Sequence, residues 1–174
     1  MVSEIRLDLI QPAELAAAEL DALASFIQSH GRVPPGQVRA NLERACLIAV
    51  ARAKESIAGL SCLKVPRPAY LEDLCRRTGL NLHGFFERGY TCVAPGFRGR
   101  GVARRLTTAL LQGAGQRPFY VLAGADDAII GRLLRDTEMT RLLEFDSRKA
   151  GRKLALWVNA AGLARLGRKP NHNV

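Results

Sequence analysis

One stretch of this sequence decides the fold class, and it reads Val93-Ala94-Pro95-Gly96-Phe97-Arg98-Gly99-Arg100-Gly101-Val102-Ala103. It joins a strand-like segment (89–93) to a helix-like segment (102–115). Glycine lets the backbone turn and approach a ligand without a Cβ clash. The first N–H groups of a helix have no partner inside the helix, and they point outward at the positive end of the helix dipole. The stretch therefore predicts a turn that binds phosphate.

The spacing of the glycines separates this turn from two common phosphate-binding loops. It is not a P-loop, because no Gly-Lys-Ser/Thr follows, and it lacks the Gly-x-Gly-x-x-Gly of dinucleotide-binding folds. The pattern Val-x-Pro-x-x-Arg-Gly-x-Gly-Val-Ala-x-x-Leu instead resembles the acetyl-CoA loop of the GNAT superfamily of N-acetyltransferases. That family's Arg/Gln-x-x-Gly-x-Gly/Ala is met by Arg98, Gly101 and Ala103.

The resemblance implies which residues bind the co-substrate, acetyl-CoA. In that family the strand before the loop offers backbone groups to the pantetheine arm, and here these residues are Cys92, Val93 and Ala94. The loop N–H groups take the pyrophosphate, and the corresponding residues are Arg98, Gly99, Arg100, Gly101, Val102 and Ala103. For the side chains of Arg98 and Arg100 two interpretations stay open, which are charge-assisted bonds to phosphate or solvated surface charge.

Glu87 is the candidate catalytic residue. The segment Phe85-Phe86-Glu87-Arg88-Gly89-Tyr90 resembles a strand that carries a general base in some GNAT members. A base is needed because an ammonium has no lone pair with which to attack a thioester. Glu87 lies six residues before Val93, so regular alternation predicts that both face the same side of the strand. The alternative is a structural glutamate paired with Arg88 or with another arginine.

The sequence departs from the family at the general acid. Many members carry a tyrosine near the end of the helix after the fifth strand, followed by Gly-Phe, and this tyrosine protonates the leaving thiolate. Leu134 occupies that approximate position, and Glu138-Met139 replaces Gly-Phe. Tyr90 and Tyr120 are candidates by residue type, although packing within strands is the simpler role for both. Solvent is the other proton source.

Length and composition favour one cytoplasmic domain. The chain has 174 residues, of which 48% are hydrophobic, which suits a sizeable core and argues against disorder. No apolar run approaches the roughly 20 residues that span a bilayer, and we expect no membrane association. The histidines and cysteines are scattered, so we expect neither metal nor disulfide. We expect an acyltransferase domain over residues 1–166 and a basic polar tail over 167–174.

The net charge of +10 is unevenly distributed along the chain. Residues 1–87 hold ten basic and ten acidic side chains, whereas residues 88–174 hold sixteen basic and six acidic ones. Such a positive half attracts polyanions, which include a phosphorylated co-substrate and nucleic acid. Aromatic residues, which stack on bases, make up only 6% of the chain, so nucleic acid is the less favoured partner.

Hydrophobic periodicity and turn residues predict alternating elements. The predicted strands cover 4–10, 46–53, 56–65, 84–93, 118–123, 140–147 and 152–159. The predicted helices run from Pro12 to Gly31, from Pro34-Pro35 past Leu42, and over 70–78, 102–115 and 126–136. A hairpin at each end with helices between implies an α/β domain with a mixed sheet. The order also resembles the GNAT fold, so we expect a single-domain, mostly antiparallel central sheet flanked by helices.

These observations favour an N-acyltransferase that moves an acetyl group from acetyl-CoA directly to an amine-bearing acceptor. Two alternatives remain open at this point, a basic module that binds nucleic acid and a GNAT-like domain that binds CoA without catalysis. A homodimer is compatible with the sequence. The acceptor itself is not defined by fold resemblance.

Overall fold

The computed structural model describes residues 4–31, 33, 36–147 and 150–168. The elements in chain order are β1 (Ile5–Ile10), α1 (Ala17–His30), α2 (Val38–Glu43), β2 (Ala45–Ala53), β3 (Ser56–Lys64), α3 (Pro68–Thr78), β4 (Phe86–Val93), α4 (Val102–Ala114), β5 (Phe119–Gly124), α5 (Ala128–Asp136), β6 (Thr140–Ser147), β7 (Arg152–Val158) and α6 (Ala160–Arg165). None of the helices in the described ranges is both long enough and apolar enough to cross a bilayer.

The strands form one seven-stranded sheet in the order β1-β2-β3-β4-β5-β7-β6. β2 pairs antiparallel with β1 and β3, and β7 pairs antiparallel with β5 and β6. β4 and β5 are parallel, and their register comprises the pairs Phe86–Phe119 and Glu87–Tyr120. The predicted fold class, a mixed and mostly antiparallel sheet flanked by helices, is confirmed.

The chain divides into two compact units. The first contains Met1–Val65 and Arg88–Gly115, and the second contains Pro66–Glu87 and Gln116–Val174. Strand β4 therefore begins in the second unit and continues into the first after Glu87. The boundary between a domain at 1–166 and a tail at 167–174 stays a prediction, and residues 169–174 of that tail lie outside the described residues.

In the first unit, α1 and α2 bury their apolar sides against β2 and β3. This core includes Leu23 and Ile27 of α1, Leu42 of α2 and Ile48 of β2, each of which is almost completely buried.

The predicted start of the first helix at Pro12 is wrong. Pro12–Glu14 forms only a 3-10 turn, because Leu15 returns to an extended conformation before α1 begins at Ala17. Pro34-Pro35, the predicted start of the second helix, lies outside the described residues.

The second unit has its own core, to which α3, β5, β7 and α6 contribute. Tyr120 and Leu156 are fully buried in it.

Helix α6 is missing from the sequence prediction, which continued the last strand through Asn159. Asn159 instead begins the helix, because its side-chain oxygen accepts a hydrogen bond from the Gly162 N–H at 2.9 Å. The same oxygen accepts from the Phe119 N–H at 3.0 Å, which ties α6 to the start of β5.

Candidate functional site

The glycine loop has the backbone conformation that its sequence requires. Gly99 and Gly101 both have φ of +72°, in the left-handed region that favours glycine. Gly101 is the N-cap of α4. A Cβ atom at either position would meet no protein atom within 4 Å. The two glycines are therefore required by backbone conformation, and the space beside them is open to a ligand.

The loop leaves a row of N–H groups for that ligand. The N–H of Arg98 bonds the carbonyl of Pro95 at 3.3 Å, and the N–H of Arg105 bonds the carbonyl of Gly101 at 3.0 Å. Between these two residues, the backbone N–H groups of residues 99–104 donate no backbone hydrogen bond within the described loop. The first turn of α4 contains no acidic residue. Open space, unbonded amides and a helix N-terminus fit the pyrophosphate of CoA.

The four arginines near the loop divide into two groups. Arg98 donates through Nε to the carbonyl of Val93 at 3.1 Å, and Arg105 donates through Nη2 to the carbonyl of Ile5 at 2.9 Å. Arg100 lies over the Phe97 ring at 5.7 Å. For Arg100 and Arg104, no side-chain hydrogen bond or ion pair occurs within the described part of the chain. These two guanidinium groups have all of their donors available to phosphate, and Arg98, which is bonded only through Nε, keeps both of its Nη atoms available as well.

The strand residues before the loop are partly engaged by the protein itself. The N–H of Ala94 bonds the carbonyl of Ala58 at 3.0 Å, and the carbonyl of Val93 accepts from Arg98. Burial raises the pKa of the Cys92 thiol to about 12, so Cys92 stays protonated and unreactive at neutral pH. If these residues contact pantetheine, only their remaining backbone groups are available.

Strand β4 does not alternate regularly. Tyr90 has φ of +54°, a left-handed residue within the strand. Arg88 Nη2 donates to Thr91 Oγ1 at 3.1 Å, so two residues three positions apart share a face. The alternation from which a shared face of Glu87 and Val93 was predicted is interrupted between them, so that placement stays a prediction. The described hydrogen bond of Arg88 goes to Thr91, which does not support the alternative in which Glu87 pairs with Arg88.

Glu87 lies beside two tyrosines in the second unit. Its register partner on β5 is Tyr120, whose hydroxyl oxygen is fully buried. The Glu87 carboxylate is close enough to Tyr70 on α3 for its charge to act on the Tyr70 hydroxyl. Burial first, and then the charge of Glu87, raises the pKa of both phenols, so both stay protonated at any ordinary pH. Tyr70 was not a candidate from the sequence, because no motif relates α3 to β4.

The other positions considered for the general acid are occupied by residues that pack within the protein. The Tyr90 hydroxyl accepts a hydrogen bond from the Asn41 side chain, and the Lys64 ammonium lies 4.6 Å from the centre of the Tyr90 ring. Leu134, at the approximate position of the family's tyrosine, is completely buried and cannot donate a proton. Tyr90 thus connects α2 to β4, and Tyr120 is closed off from solvent.

The comparisons with solved structures identify this fold. An acyl-CoA N-acyltransferase from Pseudomonas aeruginosa is 17% identical with a TM-score of 0.65, over 90% of this chain and 100% of that chain. A structure from Desulfovibrio desulfuricans assigned to the GNAT family is 14% identical with a TM-score of 0.64, over 91% and 99%. NAA60 of Arabidopsis thaliana, solved with acetyl-CoA, is 15% identical with a TM-score of 0.64, over 89% and 98%. No family model matches this sequence, and no curated protein matches it either.

Proposed function

The chain has the fold of the GNAT acetyltransferases, and from this premise we propose that it is an acyl-CoA-dependent N-acyltransferase that uses acetyl-CoA. The observation that carries the proposal is the loop at the start of α4. Two left-handed glycines, Gly99 and Gly101, precede a helix whose first N–H groups are unbonded and have open space before them. That arrangement suits a pyrophosphate and serves no partner within the described residues.

In the proposed reaction the acceptor amine attacks the carbonyl carbon of the acetyl thioester. The new C–N bond forms, the C–S bond breaks, and CoA leaves as the thiolate. The ammonium form of the acceptor must first lose a proton, which Glu87 accepts directly or through a water molecule. The second N–H proton is lost as the amide forms and is balanced by protonation of the thiolate. Products are the N-acetylated acceptor and CoA, with no covalent enzyme intermediate.

Solvent is the proposed proton source for the thiolate. The position near Leu134 is buried and aliphatic, and the Tyr120 hydroxyl is buried as well. A thiolate is a fair leaving group, so the reaction tolerates the loss of a positioned acid.

The acceptor carries a primary amine. The cytoplasm is the proposed compartment, because the four cysteines are scattered along the sequence with no Cys-x-x-Cys pair.

Two alternatives remain, a domain that binds CoA without turnover and a module that binds nucleic acid. The first follows from the missing tyrosine. The second follows from the basic half of the chain, where Arg152 and Lys153 begin β7. Arg148 and Lys149, which the sequence places in the same hairpin, lie outside the described residues. We favour the enzyme over both, because an anion site made of backbone N–H groups suits one phosphate compound better than a long polyanion.

The test is a transfer assay with the full chain. Acetyl-CoA is mixed with a panel of small amines, peptide N-termini and lysine-bearing peptides, and the released thiol is measured. Amine-dependent thiol release above the rate without protein supports the enzyme. CoA binding without release on any acceptor supports the inactive domain. A tight RNA or DNA complex that persists at high salt, with no CoA binding, supports the third function.

A further inference from the structure

We propose that Tyr70 is a positioning residue for Glu87, and that its hydroxyl holds the Glu87 carboxylate by donating a hydrogen bond to it. This inference rests on the proposed function, since it concerns the proposed base. It assigns a role to helix α3, which no part of the glycine-loop motif includes. All the residues that carry it belong to the second unit, and they lie within one compact body.

The backbone fixes where Glu87 lies. β4 and β5 run parallel, and Glu87 is the register partner of Tyr120. Register partners in neighbouring strands face the same side of the sheet. Tyr120 packs in a core with Leu71 and Leu74 of α3, so α3 covers the face on which Glu87 lies.

Tyr70 lies in the first turn of α3, the helix that covers this face. Pro68 is its first residue, where a missing N–H costs nothing, and Arg67 is its N-cap. Tyr70 directly precedes the buried Leu71 and is itself half-buried, and burial first, then the charge of the Glu87 carboxylate, raises the pKa of its hydroxyl. A carboxylate is acceptor-only, so the phenol is the donor of this pair.

Tyr120 is the second neighbour of the Tyr70–Glu87 pair. Its hydroxyl approaches that of Tyr70, yet it makes no hydrogen bond of ordinary geometry among the described residues. The two hydroxyls are therefore neighbours that form no hydrogen bond with each other. Tyr120 contributes bulk and excludes water, while Tyr70 contributes the donor. A buried, charge-assisted bond of this kind fixes the rotamer of the carboxylate and favours its charged form.

The first test does not depend on activity. The chain has three tyrosines, so the full-length protein labelled with ¹³Cζ-tyrosine gives three phenol signals. Glu87→Gln removes the charge next to Tyr70, and we expect the Tyr70 signal to shift at neutral pH. The matched control is Glu72→Gln, an exposed carboxylate on the same helix that pairs with His83 at 3.4 Å. An unchanged Tyr70 signal in Glu87→Gln overturns the proposal.

The second test is kinetic. Tyr70→Phe removes only the hydroxyl, and we expect kcat to fall by about tenfold with KM for acetyl-CoA unchanged. Loss of the donor disfavours the charged carboxylate, so the acid limb of the kcat/KM profile moves up by about one pH unit. The control is Thr78→Val, which removes the hydroxyl that bonds the Leu74 carbonyl at 2.7 Å within the same helix.

The outcomes separate this proposal from the proposed function. A shifted Tyr70 signal together with a displaced acid limb supports the positioning role. An active wild type whose pH profile Tyr70→Phe leaves unchanged overturns that role alone. A wild type that transfers no acyl group to any acceptor overturns the proposed function and this role with it, even where the Tyr70 signal responds to Glu87→Gln.

Discussion

Arg88 donates a hydrogen bond from Nη2 to the hydroxyl of Thr91, three residues further along the same strand, at 3.1 Å. Thr91 in turn shares a hydrogen bond of 2.7 Å with Ser61 on β3. Arg88 is buried, and its Nε and Nη1 atoms have no hydrogen-bond partner among the described residues. Burial lowers the pKa of Arg88 to about 10. The strand thus contains a cation that costs stability, and one neutral hydroxyl is its described partner.

We predict that replacing the whole cation is tolerated better than removing its partner. Arg88→Met should leave the free energy of unfolding within about 1 kcal/mol of wild type or raise it, because the desolvation cost disappears. Thr91→Val leaves the buried guanidinium without an acceptor and should cost about 1–3 kcal/mol. Urea unfolding at pH 7, followed by the fluorescence of Trp157, measures both. A loss above about 3 kcal/mol in Arg88→Met would contradict the prediction and reveal a strong partner for Arg88.

The pH dependence of this difference has a defined sign. Folding lowers the pKa of Arg88 from its ordinary value to about 10, so the unfolded chain holds this proton more tightly. The stability contributed by Arg88 is lowest below about pH 10 and recovers as the pH rises above the folded-state pKa of about 10. Any gain in Arg88→Met is therefore fully present at neutral pH.

The same strand shows what the sequence could predict and what it could not. The glycine loop was predictable because helix starts and left-handed glycines have local signatures, and Gly99 and Gly101 have the expected conformation. The face of the strand on which Glu87 lies was not predictable, because one left-handed residue, Tyr90, interrupts the alternation of side chains in β4. Tyrosine is not a residue type that signals a left-handed conformation. Tyr70 was unpredictable for another reason. Its contact with Glu87 depends on how α3 packs, which has no local signal.

Glu87→Gln tests the proposed base. We expect kcat/KM to fall by about 10²-fold, since the amide has the shape of the carboxylate but cannot accept the proton. Affinity for CoA should stay the same, because Glu87 precedes the loop along the chain. Steady-state kinetics across pH, with calorimetry for CoA, check this, and Glu72→Gln is the control. Wild-type rates at every pH would assign Glu87 a structural role.

The two groups of loop arginines should differ in their response to substitution. Arg100→Gln removes a guanidinium that has no described hydrogen bond, so affinity for CoA should fall about tenfold with the melting temperature unchanged. Arg105→Gln removes the bond to the Ile5 carbonyl, so it should lower the melting temperature by a few degrees and change affinity less. Calorimetric titration and thermal unfolding measure the two quantities. The reverse pattern would contradict the assignment of Arg100 to phosphate.

The binding of CoA to the loop is most directly tested by calorimetric titration of CoA into Gly101→Ala and Gly79→Ala. Gly101 has φ of +72° and ψ of 8°, and Gly79, at the end of α3, has φ of 68° and ψ of 14°. Neither position has a protein atom within 4 Å of a new Cβ, so the two substitutions impose the same backbone strain, about 1 kcal/mol each. We predict equal losses of stability, with CoA affinity reduced at least about tenfold in Gly101→Ala and unchanged in Gly79→Ala. Wild-type affinity in a folded Gly101→Ala variant would contradict the account.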